Sequence, residues 1–142
     1  MRLTSFTDYT LRVLMYLALK PEQLATIPDI AQAYAISENH LMKVVHQLAK
    51  SGVIISVRGK GGGIRLARPA AEIRLGAVVK QAEGTAPIVE CLGGEQQCAL
   101  IPACKLKGVL IDAFAALYGV LDKYTLADMV SQPQILARLV RH

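Results

Sequence analysis

The chain has 142 residues, of which 53% are hydrophobic, and this length fits one small domain plus an oligomerisation element. No apolar stretch reaches the roughly 18 residues of a membrane span, and Asp8 and Arg12 lie where a signal peptide would be apolar. We therefore expect a cytoplasmic protein with no membrane partner. The net charge is +5, and the whole excess lies in residues 1–68, where nine Lys/Arg face four Asp/Glu.

The basic residues are concentrated between Lys43 and Arg74. This stretch holds seven Lys/Arg and one acidic residue, Glu72. A cationic surface of this kind suits a polyanion such as nucleic acid, whereas a solvated surface is the simpler explanation of the charge alone. The place of these residues in the fold decides between the two.

Three helix-start signals occupy the first third of the chain. Ser5-Phe6-Thr7-Asp8 has the form of a capping box and predicts an amphipathic helix that Pro21 ends. Thr26-Ile27-Pro28-Asp29 repeats the signal and starts a short second helix. Ser37 is the predicted N-cap of a third helix, which Ser51-Gly52 ends.

A hairpin with a basic, glycine-rich tip follows the third helix. The β-prone runs 53–57 and 63–67 flank Arg58-Gly59-Lys60-Gly61-Gly62. A wing fits this segment better than a phosphate-binding glycine loop, because such loops lead into a helix and this one leads into a strand. The order of helix, short helix, turn, helix and hairpin predicts a mainly α winged helix-turn-helix domain, a DNA-binding unit, over residues 1–85.

The second half of the chain is predicted to contain an irregular loop and a long helix. A short linking helix covers Leu75 to Ala82, residues 86–102 are irregular, and a long helix runs from about Ala103 to Tyr124. Its apolar residues form a heptad seam and a second stripe: Leu106, Leu110, Ala113, Leu117, Val120 and Tyr124 in the seam, and Ile111, Phe114 and Leu121 in the stripe.

Two apolar faces on one helix, placed after a complete domain, favour a homodimer seam over packing within one chain. Thr125-Leu126-Ala127-Asp128 starts a short helix, and a last helix follows Pro133. Residues 103–142 are therefore interpreted as the dimerisation helix with two C-terminal helices.

All three cysteines lie in the irregular loop or just after it. They are Cys91, Cys98 and Cys104, with the spacing C-x6-C-x5-C. Their odd number and the reducing compartment argue against disulfides, and the close pairs and fourth ligand of structural zinc are absent. Three unrelated buried cysteines are the commonest alternative. Long spacings instead suit an iron–sulfur cluster, because the sulfurs must surround several metal atoms. Near the start of the long helix, its dipole together with Lys105 and Lys107 favours the thiolate of Cys104.

Three sulfurs leave a cluster iron one ligand short. A weak or exchangeable fourth ligand makes the cluster reactive toward a small diffusible molecule. Asp8 in the first helix is the candidate for that ligand. Its position in the predicted capping box explains the residue equally well, and both roles can hold together.

Motifs across nearly the whole chain resemble the nitric-oxide-sensing regulators within a family of winged-helix iron–sulfur proteins. The matching segments are Leu3-Thr4-Ser5-Phe6-Thr7-Asp8-Tyr9, Asn39-His40, Val57-Arg58-Gly59-Lys60, Gly62-Gly63-Ile64-Arg65-Leu66, Pro102-Ala103-Cys104-Lys105-Leu106-Lys107 and Tyr124-Thr125-Leu126-Ala127-Asp128. The resemblance implies a homodimeric repressor that binds an A·T-rich inverted repeat of double-stranded DNA while its cluster is intact. Nitrosylation of the cluster by nitric oxide would then release the DNA.

The resemblance also implies the site residues. Cys91, Cys98 and Cys104 match the family's cluster ligands, for a [4Fe–4S] cluster in preference to a [2Fe–2S] cluster. Asp8 matches the acidic fourth ligand, which in some relatives reaches across from the other protomer. Two positions depart from the family pattern: the gap between the first two cysteines is longer than expected, and Lys107 replaces the histidine of the relative that regulates cluster assembly.

The predicted DNA contacts lie in the third helix and the wing. The helix should read base edges or phosphates in the major groove, and the wing should reach phosphates or the minor groove. The wing glycines serve backbone conformation first and close approach of DNA second. The predicted DNA-binding residues are Ser37, Asn39, His40, Lys43, Arg58, Lys60, Gly61, Gly62 and Arg65.

Three alternatives remain open at this point. A repressor of the same family could respond to iron or redox status instead of nitric oxide. An enzyme or electron carrier could use the same cluster, but no nucleophile–base pair, nucleotide motif or catalytic carboxylate pair is present, and we expect no enzyme. A winged helix with structural zinc is the third alternative, and metal analysis of anaerobically purified protein distinguishes it.

Overall fold

The computed structural model describes residues 2–84, 92 and 99–140. Its elements are seven α-helices, two strands and two short 3₁₀ turns in that part of the chain. In order they are α1 (Ser5–Leu19), α2 (Ile27–Tyr34), α3 (Glu38–Lys50), β1 (Ile54–Val57), β2 (Gly63–Leu66), a 3₁₀ turn (Ala70–Glu72), α4 (Leu75–Glu83), a 3₁₀ turn (Ile101–Ala103), α5 (Lys105–Leu121), α6 (Leu126–Met129) and α7 (Pro133–Val140). This order confirms the mainly α winged helix-turn-helix fold.

The start of α1 differs from its prediction by one residue. Thr4, and not Ser5, is the N-cap, and its hydroxyl accepts the Thr7 N–H at 3.2 Å. The N–H of Thr4 donates at 2.7 Å to the carboxylate of Glu83 at the end of α4. The capping carboxylate therefore comes from another helix, and Asp8 does not close a capping box.

The starts of α2, α3 and α6 are as predicted. Thr26 with Asp29, and Thr125 with Asp128, form complete capping boxes. Hydrogen bonds from Thr26 lower the pKa of Asp29, so the carboxylate stays ionised in its capping position. The Ser37 hydroxyl accepts the His40 N–H at 3.2 Å and starts α3.

The wing is an antiparallel hairpin in which Ile54 pairs with Leu66 and Val57 pairs with Gly63. Its tip needs glycine at two successive positions. Gly61 has φ +77°, a left-handed conformation that residues with a Cβ rarely adopt. A Cβ on Gly62 would overlap the carbonyl oxygen of Val57. Both glycines thus have the conformational role that the sequence predicted.

One apolar core joins the first three helices, the wing and α6. Leu14, Ile30, Leu41 and Leu126 are all fully buried in it. Leu126 shows that the C-terminal segment returns to the winged-helix core. Within the described residues, no helix is both long enough and apolar enough to cross a membrane.

Helix α5 is shorter than the predicted span from Ala103 to Tyr124. Pro102 lies in the 3₁₀ turn before the helix, and Tyr124, the last member of the predicted seam, lies beyond its end. The helix ends at Leu121 because the following backbone bonds to the start of α4. The carbonyl of Asp122 accepts from the Arg74 guanidinium at 3.2 Å, and the carbonyl of Tyr124 accepts from the Leu75 N–H at 3.1 Å.

The two apolar faces of α5 are largely uncovered. Among its residues, all of which lie in the described part of the chain, none is buried. In the predicted seam, Leu106 is 61% exposed and Val120 is 52% exposed, whereas Leu110 and Leu117 are half-buried. The second stripe is partly covered within the chain: Phe114 and Leu121 are half-buried, whereas Ile111 is 48% exposed.

Candidate DNA interface and cluster site

Helix α3 separates an apolar face from a polar face at its N-terminal end. Leu41, Val44, Val45 and Leu48 are buried against the core. The predicted DNA-contacting residues of this helix, Ser37, Asn39, His40 and Lys43, are all exposed. They occupy the first turns of the second helix of a helix-turn-helix, which is where such helices present side chains to the major groove.

The wing extends this polar surface with positive charge. Arg58, Lys60 and Arg65 are exposed, as is Lys43 of α3. In residues 2–84, 92 and 99–140, the one ion pair joins Arg12 to Asp8, so these four cations are free of carboxylate partners there. Arg74, at the end of the basic stretch, instead bonds the backbone at Asp122. The structure thus brings the predicted DNA-binding residues onto α3 and the wing, with their charge uncompensated.

Cys104 is the cysteine within the described part of the chain, and Cys91 and Cys98 lie outside it. It occupies the N-cap position of α5, half-buried, and its side chain makes no capping hydrogen bond. The N-terminus of a helix carries unbonded N–H groups and the positive end of the helix dipole, and both attract negatively charged groups. The prediction that Cys104 lies at the start of the long helix is confirmed.

A metal site cannot be assembled from the described residues alone. Among them no group of three or more His, Cys, Asp or Glu side chains is close enough to hold an ion. Cys104 nevertheless fits an iron–sulfur cluster, because it presents a free sulfur at the positive end of a helix. The ligand set of three cysteines therefore stays a prediction.

Asp8 forms an ion pair one turn along α1. Its Oδ2 lies 3.1 Å from Arg12 Nη2, and its Oδ1 accepts from Arg12 Nε at 3.1 Å. Both side chains are about half exposed. Since the capping carboxylate belongs to Glu83, the capping explanation for Asp8 is wrong, and its carboxylate remains at the surface.

Arg12 also contacts an aromatic ring. Its guanidinium lies 5.8 Å from the ring centroid of Tyr34, within the range of a cation–π contact. Burial raises the pKa of Tyr34, so its phenol is neutral at neutral pH. The ring of Tyr34 in turn meets that of Tyr16 edge-on at 6.2 Å. Asp8 is thus held in place from α1 and, through Arg12, from α2.

Two contacts at this end of the molecule were not predicted. Glu83 bonds Thr4 across 79 positions of sequence, and no local pattern indicates such a pair. The ring of Tyr9 in α1 lies 5.9 Å from that of His40 in α3. Thr4 and Glu83 lie where α1 meets α4, and Tyr9 and His40 lie where α1 meets α3.

Comparison with known proteins identifies the family. The model of the Rrf2 family, described as "Iron-dependent Transcriptional regulator", matches residues 3–132. The chain belongs to the Rrf2 family. It is 49% identical to the HTH-type transcriptional regulator NsrR of Shouchella clausii, over 99% of this chain and 96% of that protein. It is 45% identical to NsrR of Bacillus subtilis, over 99% and 98% of the two chains.

Solved structures of Rrf2-type regulators share the fold. The structure of T. potens IscR covers 92% of this chain and 87% of its own, with a TM-score of 0.75 and 26% identity. CymR, the global cysteine regulator of B. subtilis, covers 92% and 97% with a TM-score of 0.72 and 26% identity. As a member of this family the chain is a DNA-binding transcriptional regulator and not an enzyme, which confirms both expectations.

Proposed function

We propose that this Rrf2 regulator is a homodimeric repressor of the NsrR type, which binds an A·T-rich inverted repeat and releases it on exposure to nitric oxide. The observation that carries the proposal is the identity of 45–49% with NsrR relatives over 99% of the chain. The long spacing of its three cysteines, which suits an iron–sulfur cluster, supports it. Residues 1–85 would bind DNA, residues 86–102 would form the cluster-binding loop with two of the ligands, and residues 103–142 would form the dimer.

The cluster would be held by Cys91, Cys98 and Cys104, with Asp8 as the weaker fourth ligand. Thiolates bind iron strongly, whereas a carboxylate is the harder and more easily exchanged ligand. When bound, the cluster supplies iron that can react with a diffusible gas at the weakly ligated position. A [4Fe–4S] cluster is favoured over a [2Fe–2S] cluster, as the resemblance implies.

Two features of the described residues support this ligand set. Cys104 has a free sulfur at the N-terminus of α5, where a negative cluster would be stabilised. The carboxylate of Asp8 is half exposed and bonds only Arg12 among the described residues, so another molecule can reach it. A ligand supplied by the second protomer fits this surface position.

The uncovered apolar side chains of α5 support the homodimer. Leu106, Val109 and Val120 are each more than half exposed on one helix. Burial of such side chains against a second copy would remove apolar surface from water, at about 25 cal/mol per Å². A two-fold dimer would also present two recognition helices to the two halves of an inverted repeat.

The experiment uses four variants, each with one of Cys91, Cys98, Cys104 or Asp8 changed to Ala, in anaerobically purified full-length protein. Native mass spectrometry would count iron and sulfide per dimer. Fluorescence anisotropy would measure binding to a duplex that the wild-type protein has selected from a randomised library, before and after nitric oxide. Each Cys variant should lose iron and specific DNA binding. Asp8→Ala should keep most of its iron but bind the selected duplex more weakly.

Two outcomes would contradict parts of this proposal. Normal binding and a normal nitric oxide response in Asp8→Ala would remove Asp8 from the ligand set. The same result in a Cys variant would exclude the cluster as the sensor.

A response to iron or redox status is the second candidate, favoured by the family description as iron-dependent. The wild-type protein would be titrated separately with nitric oxide, an iron chelator and air, with retention of the selected duplex as the readout. If nitric oxide releases the duplex and the chelator and air do not, the first proposal is supported. Release by chelator or air alone supports the second.

A further inference from the structure

His40 is the predicted DNA-contacting residue that has an aromatic neighbour from another helix. It is the third residue of α3 after the N-cap Ser37, and it is exposed. Its ring centroid lies 5.9 Å from that of Tyr9 in α1, and the two planes are inclined by 32°. Aromatic pairs in proteins have centroid distances of about 4.5–7 Å, so this is a direct ring contact.

The Tyr9 side chain is fixed by packing against the core, whereas the His40 side chain is exposed. The tyrosine is half-buried and packs against the apolar core, and its neighbour Thr10 is buried and bonds the backbone of Phe6. The backbone of His40 is also fixed, because its N–H bonds the Ser37 hydroxyl. The side-chain torsions of His40 are therefore its remaining freedom, and the Tyr9 ring limits them.

We infer that Tyr9 is a positioning residue for DNA recognition, which holds the His40 ring in one orientation over the major groove. An exposed side chain that is free to rotate loses conformational entropy when it binds, whereas one already held loses less. The inference rests on the proposed DNA interface, in which His40 reaches a base edge or phosphate. It assigns Tyr9 a role beyond filling the core, and that role acts through His40.

The test is a double-mutant cycle in the full-length, anaerobically purified protein. Tyr9→Leu, His40→Ala and the double variant would be measured on the selected duplex and on a scrambled duplex of equal length and composition. We expect Tyr9→Leu to weaken binding to the selected duplex by about tenfold, since both protomers lose a held side chain. Binding to the scrambled duplex, which depends on phosphate contacts, should not change.

Two further variants separate positioning from packing. Tyr9→Phe keeps the ring and should bind like the wild type. Met15→Ala is the matched control, because Met15 also lies half-buried on α1 and packs against the core but has no ring to meet His40. It should leave the preference for the selected duplex unchanged. In the His40→Ala background, Tyr9→Leu should cause no further loss.

Several results would overturn the inference. They are unchanged binding by Tyr9→Leu, an equal loss on both duplexes, or an undiminished loss in the His40→Ala background. If His40→Ala itself binds normally, the His40 contact with DNA is wrong and the inference fails with it, whereas the iron content and nitric oxide response are untouched. Nuclear Overhauser contacts between the two rings in the wild-type protein are expected independently of any variant, and their absence would also refute it.

Discussion

The helix-turn-helix core and helix α5 both repeat apolar residues at helical spacing, but only the core buries them. Leu41 in α3 is fully buried, whereas Leu106 in α5 is 61% exposed. The same residue type thus has opposite environments in two helices of one chain. The comparison indicates that α1 to α4, the wing and α6 bury apolar residues within one chain, whereas α5 leaves apolar residues for another surface to cover.

Charge placed on the predicted seam should be the most damaging change. In the double variant Leu110→Glu, Leu117→Glu, two carboxylates would be buried without partners if a second copy covers α5. We expect a monomer in analytical ultracentrifugation and at least about a hundredfold weaker binding to the selected duplex, because the two half-sites must be bound together. Ala115→Glu on the opposite side of α5 should remain dimeric. An unchanged dimer in the double variant would mean that the seam is misassigned.

Two leucines, one in the core and one on α5, test this difference directly. Leu41→Ala should lower the free energy of unfolding by about 2–5 kcal/mol at every protein concentration, because the cavity lies inside one chain. Leu106→Ala should cost less, and its cost should depend on protein concentration, because its partner would be a second copy. Chemical denaturation of both variants at several concentrations measures the difference. A concentration-independent loss for Leu106→Ala would place its contacts within the same chain.

The next prediction concerns the contact between the start of α4 and the residues that follow α5. A Cβ on Gly76 in the first turn of α4 would overlap the carboxylate of Asp122, which follows α5. We expect Gly76→Ala to lower the free energy of unfolding by no more than about 1 kcal/mol, because the exposed Asp122 side chain can turn away and alanine favours the helix. Asp122→Ala in the same chain should recover most of that loss. Without recovery, the conflict would lie elsewhere than at Asp122.

What the sequence predicts well is local. The caps at Thr26, Ser37 and Thr125 depend on residues three positions apart, and the hairpin depends on its own glycines, so the element order follows from short patterns. What it misses is set across the chain. The α1 cap moves to Thr4 because Glu83 reaches it from α4, and α5 ends early because its last backbone groups bond the start of α4.

In the candidate site, too, features set by local sequence patterns were predictable, whereas those set by packing between helices were not. Exposure of the α3 and wing residues follows from the period of the buried residues on the other face, so the polar surface was predictable. The Arg12 partner of Asp8 is also a local pair four residues apart, but the sequence offered Asp8 a competing role as a cap. The ring contact between Tyr9 and His40 depends on how α1 packs on α3, which helical spacing alone does not determine. Cys91 and Cys98 lie outside the described residues, so their part of the site stays a prediction.

A small effect is expected at the α2 cap, in the region that buries its apolar residues within one chain. The lowered pKa of Asp29 means that its ionised form is favoured in the folded state, chiefly by the backbone N–H of Thr26. Its stabilisation is therefore present above the unfolded pKa of about 4 and is lost as the pH falls through the folded value. Asp29→Asn keeps a hydrogen-bond acceptor but removes the charge. Because the carboxylate is exposed, we expect the variant to be about 0.5 kcal/mol less stable than the wild type at pH 7. That difference should shrink toward zero below pH ~3, where the wild-type carboxylate is protonated as well. Urea denaturation of both proteins at several pH values measures it, and a difference that grows in acid would show that the charge of Asp29 does not stabilise the helix start.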